Sequence, residues 1–526
     1  MQPLHPGLTG SALRPQEAVI AIGGSAYRFV PDATAAFVEE SGPKGIRRLP
    51  VQYAIGGKNT YYFLTPMERG RLQVLPIGYD IRKKSWYDVA ASGVRMHVEV
   101  PAERPVAWTD PNFTFNTSCY GCHVSQFRTN YDLESDTYSS SWREAGINCE
   151  TCHGGGAMHV ELYRKAPGRK GQDMRIIRAT QLTVQQRNEM CAPCHAKMSP
   201  ISSGYQAAQR FFDHYDLVTL EDADYYPDGR DLAENYTYTS WLMSPCVRGG
   251  NLDCMHCHTS SGRYRFGAEN PNGACSPCHE DRVANVAAHS RHKANAPGGN
   301  CIDCHMPKTR FANMDRSDHS MLPPAPAATL RFRSPNACNL CHTEKGAAWA
   351  DAKVRQWHKE DYQRPVLERA ALVDAARKER WDNLPGIIAY IQDSRGDQVT
   401  QASLIRLLQR CDDPRRLPVL GQALHHPNPL LRAAASASLQ GSVTPEIRSI
   451  GPSHERRLPA GPHTGGCLVG GRAGRGLAGR RPGIRAEGKG RGDRFLPCQA
   501  RRFLQPNEPR EFLSGTGRSQ SGDPRI

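Results

Sequence analysis

The sequence lacks any hydrophobic run as long as the roughly 18 to 20 residues that a transmembrane helix requires, and its mean hydropathy is −0.59. A membrane-spanning helix is therefore excluded from the predicted architecture. The beginning of the chain, MQPLHPGLTGSALRPQEAVIAIGG, also lacks a basic segment, and its apolar stretch covers only residues 18–22. No signal peptide of the usual form is visible there.

A large excess of positive charge is absent from most of the chain. The 526 residues include 67 Lys and Arg against 52 Asp and Glu, a net charge of +15, but residues 451–526 alone contribute +9. The remaining body is close to neutral, which gives no support to a nucleic-acid-binding surface. At about 150 residues per domain, the length predicts three or four structural units.

Cysteine and histidine are the residues that occur in an unusual arrangement. The chain has 18 cysteines and 20 histidines, and fourteen of the cysteines fall in seven C-x-x-C-H units. These motifs, numbered here from first to seventh in chain order, are Cys119, Cys122 and His123; Cys149, Cys152 and His153; Cys191, Cys194 and His195; Cys254, Cys257 and His258; Cys275, Cys278 and His279; Cys301, Cys304 and His305; and Cys338, Cys341 and His342.

The spacing within each motif suits covalent haem attachment. Two thiols three residues apart can each add to one vinyl group of a haem, and the histidine that follows then binds the iron as its proximal ligand. Zinc sites, disulfides and thioredoxin-like pairs also use cysteine, but none of them requires a histidine after the second cysteine seven times. The sequence therefore predicts seven covalent haems c within 224 residues, close enough to supply much of the interior themselves.

Each haem iron needs a sixth ligand or an open position, and that choice separates an electron carrier from a catalyst. Upstream of residue 360, nine histidines lie outside the motif ends. His256 lies inside the loop of its own motif and His5 lies near the terminus, so neither is expected to bind iron. Seven candidates remain for seven irons, although each could instead be an ordinary surface or hydrogen-bonded histidine: His97, His159, His214, His289, His292, His319 and His358.

Several segments resemble the bacterial multihaem c-type cytochromes of the cytochrome c-554-like superfamily, which are often fused to helical repeats. They are NTSCYGCH at 116–123, NCETCHGGGAMH at 148–159, FDHY at 212–215, YTSWLMSPC at 238–246, NCIDCHMP at 300–307, RSDHSM at 316–321 and SPNACNLCH at 334–342. The resemblance covers about residues 50–440. It implies distal-ligand roles for His159, His292 and His319.

The resemblance also implies an exported protein, because bacteria attach haem c outside the cytoplasm. We therefore expect a periplasmic or otherwise extracytoplasmic location, with a given N-terminus that misses the true start of the protein. The missing part could carry further haem motifs or ligands.

The regions outside the motifs have patterns of their own. Runs at 51–55, 60–65 and 71–79 read as strands, which predicts a small antiparallel sheet packed on the haem array. Segments 384–408 and 417–439 align at an offset of 31 to 33 residues and carry apolar residues three and four apart, resembling HEAT repeats.

These patterns divide the chain into four predicted parts. They are an N-terminal β-rich segment at 1–105, a multihaem cytochrome c domain at 106–364, HEAT-like helical repeats at 365–450, and a Gly/Arg-rich tail at 451–526 that is either disordered or translated out of frame. The predicted fold is a mostly α and irregular multihaem cytochrome domain with a small N-terminal β-sheet and a C-terminal α-solenoid.

Electron transfer along a chain of mostly bis-His haems, between redox protein partners, is the favoured function. The repeats are then either a docking surface for a partner or a stabilising cap. The alternative is an oxidoreductase acting on a small nitrogen or sulfur compound at a five-coordinate haem. The sequence lacks the C-x-x-C-K motif of pentahaem nitrite reductases, which disfavours that alternative. A third hypothesis makes the repeats the working part and the haem domain an anchor, and the oligomeric state is left open.

Overall fold

The computed structural model describes residues 2–3 and 13–441, apart from 33–34, 95–104, 172, 203, 233–235, 260–261, 268 and 295. The distal-ligand candidate His97 and the tail at 451–526 lie outside the described residues.

The N-terminal part consists of two antiparallel sheets that share one apolar core. One sheet has the order β1-β6-β7-β9-β10, with β8 also paired to β7, and the other has the order β2-β3-β4-β5. Phe29 and Val38 of the second sheet belong to the same buried cluster as Phe63 and Ile77 of the first. The strands are β1 Gln2–Pro3, β2 Ile20–Ile22, β3 Ser25–Pro31, β4 Ala36–Gly42, β5 Gly45–Pro50, β6 Tyr53–Gly56, β7 Thr60–Pro66, β8 Leu72–Val74, β9 Ile77–Asp80 and β10 Ser85–Asp88.

The predicted antiparallel sheet is confirmed, with β6, β7, β8 and β9 at the three predicted runs. Gly56 closes the β6-β7 hairpin at φ 101°, where a side chain would collide with the Thr60 carbonyl. The sheet formed by β2 to β5 was not predicted. Its strands carry charged residues that pair across the sheet. Arg47 forms an ion pair with Glu40, and Arg48 forms one with Glu39, each across neighbouring strands.

The region that carries the motifs is built from short helices and two-stranded ribbons, with little regular structure between them. The ribbons are β11 Val124–Ser125 with β14 Glu144–Ala145, β12 Tyr131–Asp132 with β13 Thr137–Tyr138, β15 Met198–Pro200 with β16 Tyr215–Leu217, and β17 Lys308–Phe311 with β18 Met314–Ser317. The helices are α1 Val89–Ser92, α2 Phe115–Ser118, α3 Tyr120–His123, α4 Cys149–His153, α5 Ala157–Lys165, α6 Val184–His195, α7 Tyr238–Met243, α8 Pro245–Gly250, α9 Cys254–Cys257, α10 Ser276–Ala284, α11 Val286–Ser290, α12 Cys301–His305, α13 Pro326–Phe332 and α14 Ala337–Cys341.

The C-terminal part is a set of longer helices that share a core with the motif region. Leu404 and Ile405 of the C-terminal part belong to one buried cluster with Phe211, Leu217 and Trp241. Both segments that aligned in the sequence are helical, and the HEAT-like assignment stays a prediction. The helices are α15 Ala347–Trp357, α16 Arg364–Arg377, α17 Leu384–Gln392, α18 Gln398–Leu407, α19 Arg416–Ala423 and α20 Pro429–Gly441.

Polar contacts also fasten these helices to the motif region. The Arg377 guanidinium donates to the carbonyls of Leu220, Asp222 and Tyr225 at 2.5, 2.8 and 2.8 Å. The Leu220 amide donates to Ser403 Oγ at 2.8 Å. These bonds are partly or fully buried, where an unpaired backbone group would be costly. The C-terminal helices therefore supply the hydrogen-bond partners of three carbonyls and one amide in the loop around Leu220.

Candidate haem-binding site

The motifs lie on helical turns, most of them on helices of four or five residues, whereas the third motif ends the twelve-residue helix α6. In α4 the Asn148 side chain accepts a hydrogen bond from the Thr151 amide at 3.1 Å, and in α9 Asp253 accepts one from the Met255 amide at 2.9 Å. These caps start a helix directly at the first cysteine. Residues three and four apart then lie on the same side of the turn, so the helix presents both thiols and the following histidine together.

The motifs line one continuous cavity. Its volume is about 4500 Å³, several times the roughly 300 to 1,000 Å³ of an ordinary small-molecule pocket. Both cysteines and the histidine of the second to seventh motifs line it, and Tyr120 and Gly121 represent the first motif. The cavity therefore has the size and the attachment groups for several macrocycles held side by side.

Neighbouring motifs touch one another through their cysteines. Cys122 Sγ lies 3.7 Å from the Cys194 carbonyl oxygen, and Cys194 Sγ lies 3.7 Å from the Gly121 carbonyl oxygen. The first cysteine side chains of the third and fourth motifs are also in contact, as are those of the fifth and sixth. No disulfide joins any of the sixteen cysteines in the described part of the chain.

Three histidines of the motifs each face a histidine from elsewhere in the chain. The ring centroids are 6.2 Å apart for His305 and His289, 6.2 Å for His342 and His292, and 6.4 Å for His258 and His319. A metal–imidazole bond is about 2.0 to 2.1 Å and the ring centroid lies about 1.1 Å behind the nitrogen, so two imidazoles on one metal have centroids about 6.2 Å apart. The three spacings therefore fit one metal ion between each pair of rings.

Backbone carbonyls orient many of these imidazoles in the same way. His153 donates from Nδ1 to the Ile177 carbonyl at 2.7 Å, and His305 lies within 3.3 Å of the Met321 carbonyl through the same atom. Such a bond fixes the tautomer that leaves Nε2 unprotonated for a metal. The same Nδ1 bond to a carbonyl is made by His159, His292 and His319, at 2.6, 2.7 and 2.8 Å.

The other candidates have different surroundings. His256 donates from Nε2 to the Ala274 carbonyl at 2.8 Å, which occupies the nitrogen that a metal would need. His214 pairs with Ser202 Oγ through Nδ1, at 2.8 Å. His358 lines the cavity and packs against Tyr362.

Burial keeps several of these imidazoles neutral. Desolvation lowers the pKa of His123 to about 4, with a smaller contribution from nearby positive charge. The same cause lowers the pKa of a further group of histidines in this region, namely His195, His258, His289, His305 and His319. A neutral imidazole has the lone pair that iron requires, so binding does not first have to remove a proton.

A buried ion pair that the sequence did not reveal fixes the loop of His319. Arg230 Nη1 donates to Asp318 Oδ2 at 2.9 Å, and both side chains are 5% exposed. The Ser240 hydroxyl accepts from the His319 amide at 3.3 Å. Arg230 lies 88 residues from Asp318, so no local pattern could have indicated its role.

Known proteins match separate parts of the chain. Residues 286–383 match the family described as cytochrome c552, and residues 86–154 match the family described as cytochrome c554 and c-prime. A cytochrome c-552 of Aliarcobacter butzleri (strain RM4018) is 20% identical over 263 residues, which is 47% of this chain and 45% of the relative. The chain thus spans less than half the length of that curated relative.

One solved structure, that of the outer cell wall cytochrome OcwA, aligns with a TM-score of 0.40 and 17% identity. The alignment covers 74% of this chain and 88% of the other.

The described residues contain no helix of the length and hydropathy needed to cross a bilayer. Two cytochrome families match at the two ends of the motif region, and the attachment cysteines between them open into one cavity. The chain is a bacterial c-type cytochrome.

Proposed function

We propose that the chain carries seven covalent haems c and transfers electrons between redox proteins outside the cytoplasm. The three facing imidazole pairs along one cavity are the observation that carries this proposal. Haem c supplies reversible one-electron chemistry when bound, at a potential that depends on its axial ligands. Two imidazoles on one iron leave no position for a substrate, which favours electron transfer over catalysis.

The chain's residues divide into attachment groups and axial ligands. The fourteen motif cysteines hold the seven haems, and the seven motif histidines are the proximal ligands. We assign His319 as the distal ligand opposite His258, His289 opposite His305, and His292 opposite His342. The remaining distal candidates are His97, His159, His214 and His358, of which His159 has the Nδ1 bond typical of a ligand.

The helices after residue 364 are proposed to stabilise the haem domain. Their apolar face packs in one buried cluster with Phe211 and Trp241 of the motif region, and the Arg377 guanidinium donates hydrogen bonds to loop carbonyls. These contacts support a cap.

Replacing a distal ligand tests the assignment. Methionine opposite histidine raises the potential of a haem, so His289→Met should raise one midpoint potential in a spectroelectrochemical titration. His425→Met is the matched control, because His425 is exposed between helices α19 and α20 and does not line the cavity, and it should leave every potential unchanged. Equal effects of the two variants, or none from His289→Met, would contradict the assignment.

Two measurements on the unmodified protein test the proposal as a whole. A pyridine-haemochrome assay should give seven haems per chain, and low-temperature EPR of the oxidised protein should show low-spin irons. A high-spin signal that changes on adding nitrite or hydroxylamine would instead point to catalysis at an open iron.

A further inference from the structure

Three buried asparagines occupy the same position relative to a motif. Asn116, Asn188 and Asn272 each lie three residues before the first cysteine of the first, third and fifth motifs. They are 0%, 6% and 9% exposed. A buried amide is costly unless both its oxygen and its nitrogen find partners, so the partners show what these residues hold.

The partners of two of these asparagines are in the next motif along the chain. Asn188 Oδ1 accepts from the Cys254 amide at 3.0 Å and Asn188 Nδ2 donates to the Leu252 carbonyl at 3.1 Å. Asn272 Oδ1 accepts from the Cys301 amide at 2.8 Å, and its Nδ2 donates to the Gly299 carbonyl at 3.2 Å. In both cases one asparagine side chain binds the amide of the next motif's first cysteine and the carbonyl two residues before it. We call this pair of hydrogen bonds a clamp.

The two clamped pairs of motifs share a second contact. The Cys191 and Cys254 side chains are in contact, and so are those of Cys275 and Cys301. Each of these sulfur atoms is the first attachment point of its motif. The distance between the attachment edges of two neighbouring haems is therefore set by the same short stretch of backbone that the asparagine holds.

The first motif uses the same clamp on a different partner. Asn116 Oδ1 accepts from the Leu72 amide at 2.7 Å, and Nδ2 donates to the Gly70 carbonyl at 3.3 Å, again two residues earlier. Leu72 begins β8, and it shares an apolar cluster with Cys119. A strand of the N-terminal sheet thus takes the place that a second motif takes in the other two cases.

We propose that Asn188 and Asn272 are equivalent positioning residues that pair the third motif's haem with the fourth and the fifth motif's haem with the sixth. Asn116 closes the corresponding face of the first motif against the N-terminal sheet. This inference rests on the proposed haem loading. It adds which motifs' haems are neighbours, and this cannot be read from the spacing of the motifs along the chain.

The pairing has a measurable consequence for the potentials. Two redox groups held at a fixed short distance in a partly dry site feel each other's charge strongly, and the interaction weakens as they separate. Asn188→Leu should therefore shift two components of the spectroelectrochemical titration, and Asn272→Leu should shift a different two. Because the clamps act on separate pairs, the double variant should show the sum of both shifts. Asn116→Leu is the matched control: it removes the equivalent pair of bonds at the first motif, but it should leave in place the two components that Asn272→Leu shifts.

Each outcome of this experiment supports or overturns the pairing. Variants that load their haems normally and shift no potential, or that shift the same two components, would overturn it, even if they melt earlier. Should the leucine variants fail to mature, Asn188→Ser and Asn272→Ser remove the clamp with less steric demand and are subject to the same criteria. A low haem count in the unmodified protein would instead contradict the proposed function, so the two failures are distinguishable.

Discussion

The helices after residue 364 and the motif region before them are stabilised in different ways. Helix α18 buries eight of its ten residues, among them Val399 and Leu404. The motif helices α3, α4, α9 and α12 bury none. The first region has an apolar core made of side chains, whereas the second surrounds a cavity lined with attachment groups. The comparison teaches that the helices after residue 364 are stabilised by side-chain packing, whereas we expect the motif region to depend on its cofactors as well as on the core that it shares with those helices.

The largest expected effect comes from producing the chain without haem attachment. The motif region would then lose its interior, and we expect loss of most of the roughly 5 to 15 kcal/mol typical of a folded domain. Limited proteolysis with mass spectrometry should show early cleavage within 106–364, while the helices after 364 are cut later. Equal protease resistance of the unloaded and loaded protein would break the comparison.

A smaller effect is expected from a cavity in the helical core. Leu404 is fully buried and does not line the haem cavity, so Leu404→Ala should cost about 2 to 5 kcal/mol in the free energy of unfolding. The visible spectrum and the haem content should stay as in the unmodified protein. Leu417, 48% exposed on α19, supplies the control, since Leu417→Ala should change stability by less than about 0.5 kcal/mol. A loss of haem in the Leu404 variant would mean that the two regions are not separable in this way.

The smallest effect is expected from exposed ion pairs, in either region. Glu161 pairs with Lys165 on α5, and Glu368 pairs with Arg364 on α16, all with most of their side chains exposed. Solvent screens such pairs, so Glu161→Gln and Glu368→Gln should leave the melting temperature unchanged within error in differential scanning calorimetry. A clear drop from one and not the other would reveal a difference between the regions that packing alone does not explain.

Local patterns were enough to predict part of the fold. The strand runs around Gly56 were found because alternation and a glycine turn are local signals. The sheet formed by β2 to β5 was missed because Glu39, Glu40, Arg47 and Arg48 interrupt the apolar alternation of its strands. Their charges are satisfied across the sheet, which a single strand's sequence does not show.

The candidate site also has a part that the sequence could predict and a part that it could not. Each attachment group could be assigned from five consecutive residues. The facing partners could not, because His258 and His319 are 61 residues apart and His292 and His342 are 50 apart. The histidine count only established that there were as many distal-ligand candidates as C-x-x-C-H motifs.

The sequence by itself was enough to predict the haem-attachment motifs of this protein. A thioether bond needs a cysteine, and the adjacent ligand needs a histidine one residue later, so covalent geometry makes the predicted attachment sites a local pattern. Only the tertiary structure decided which histidines face each other and which motifs adjoin, because those distances depend on the whole path of the chain. The asparagines at 188 and 272 combine the two kinds of information. Their spacing from a cysteine can be read from the sequence, but the backbone groups that they bind depend on the fold.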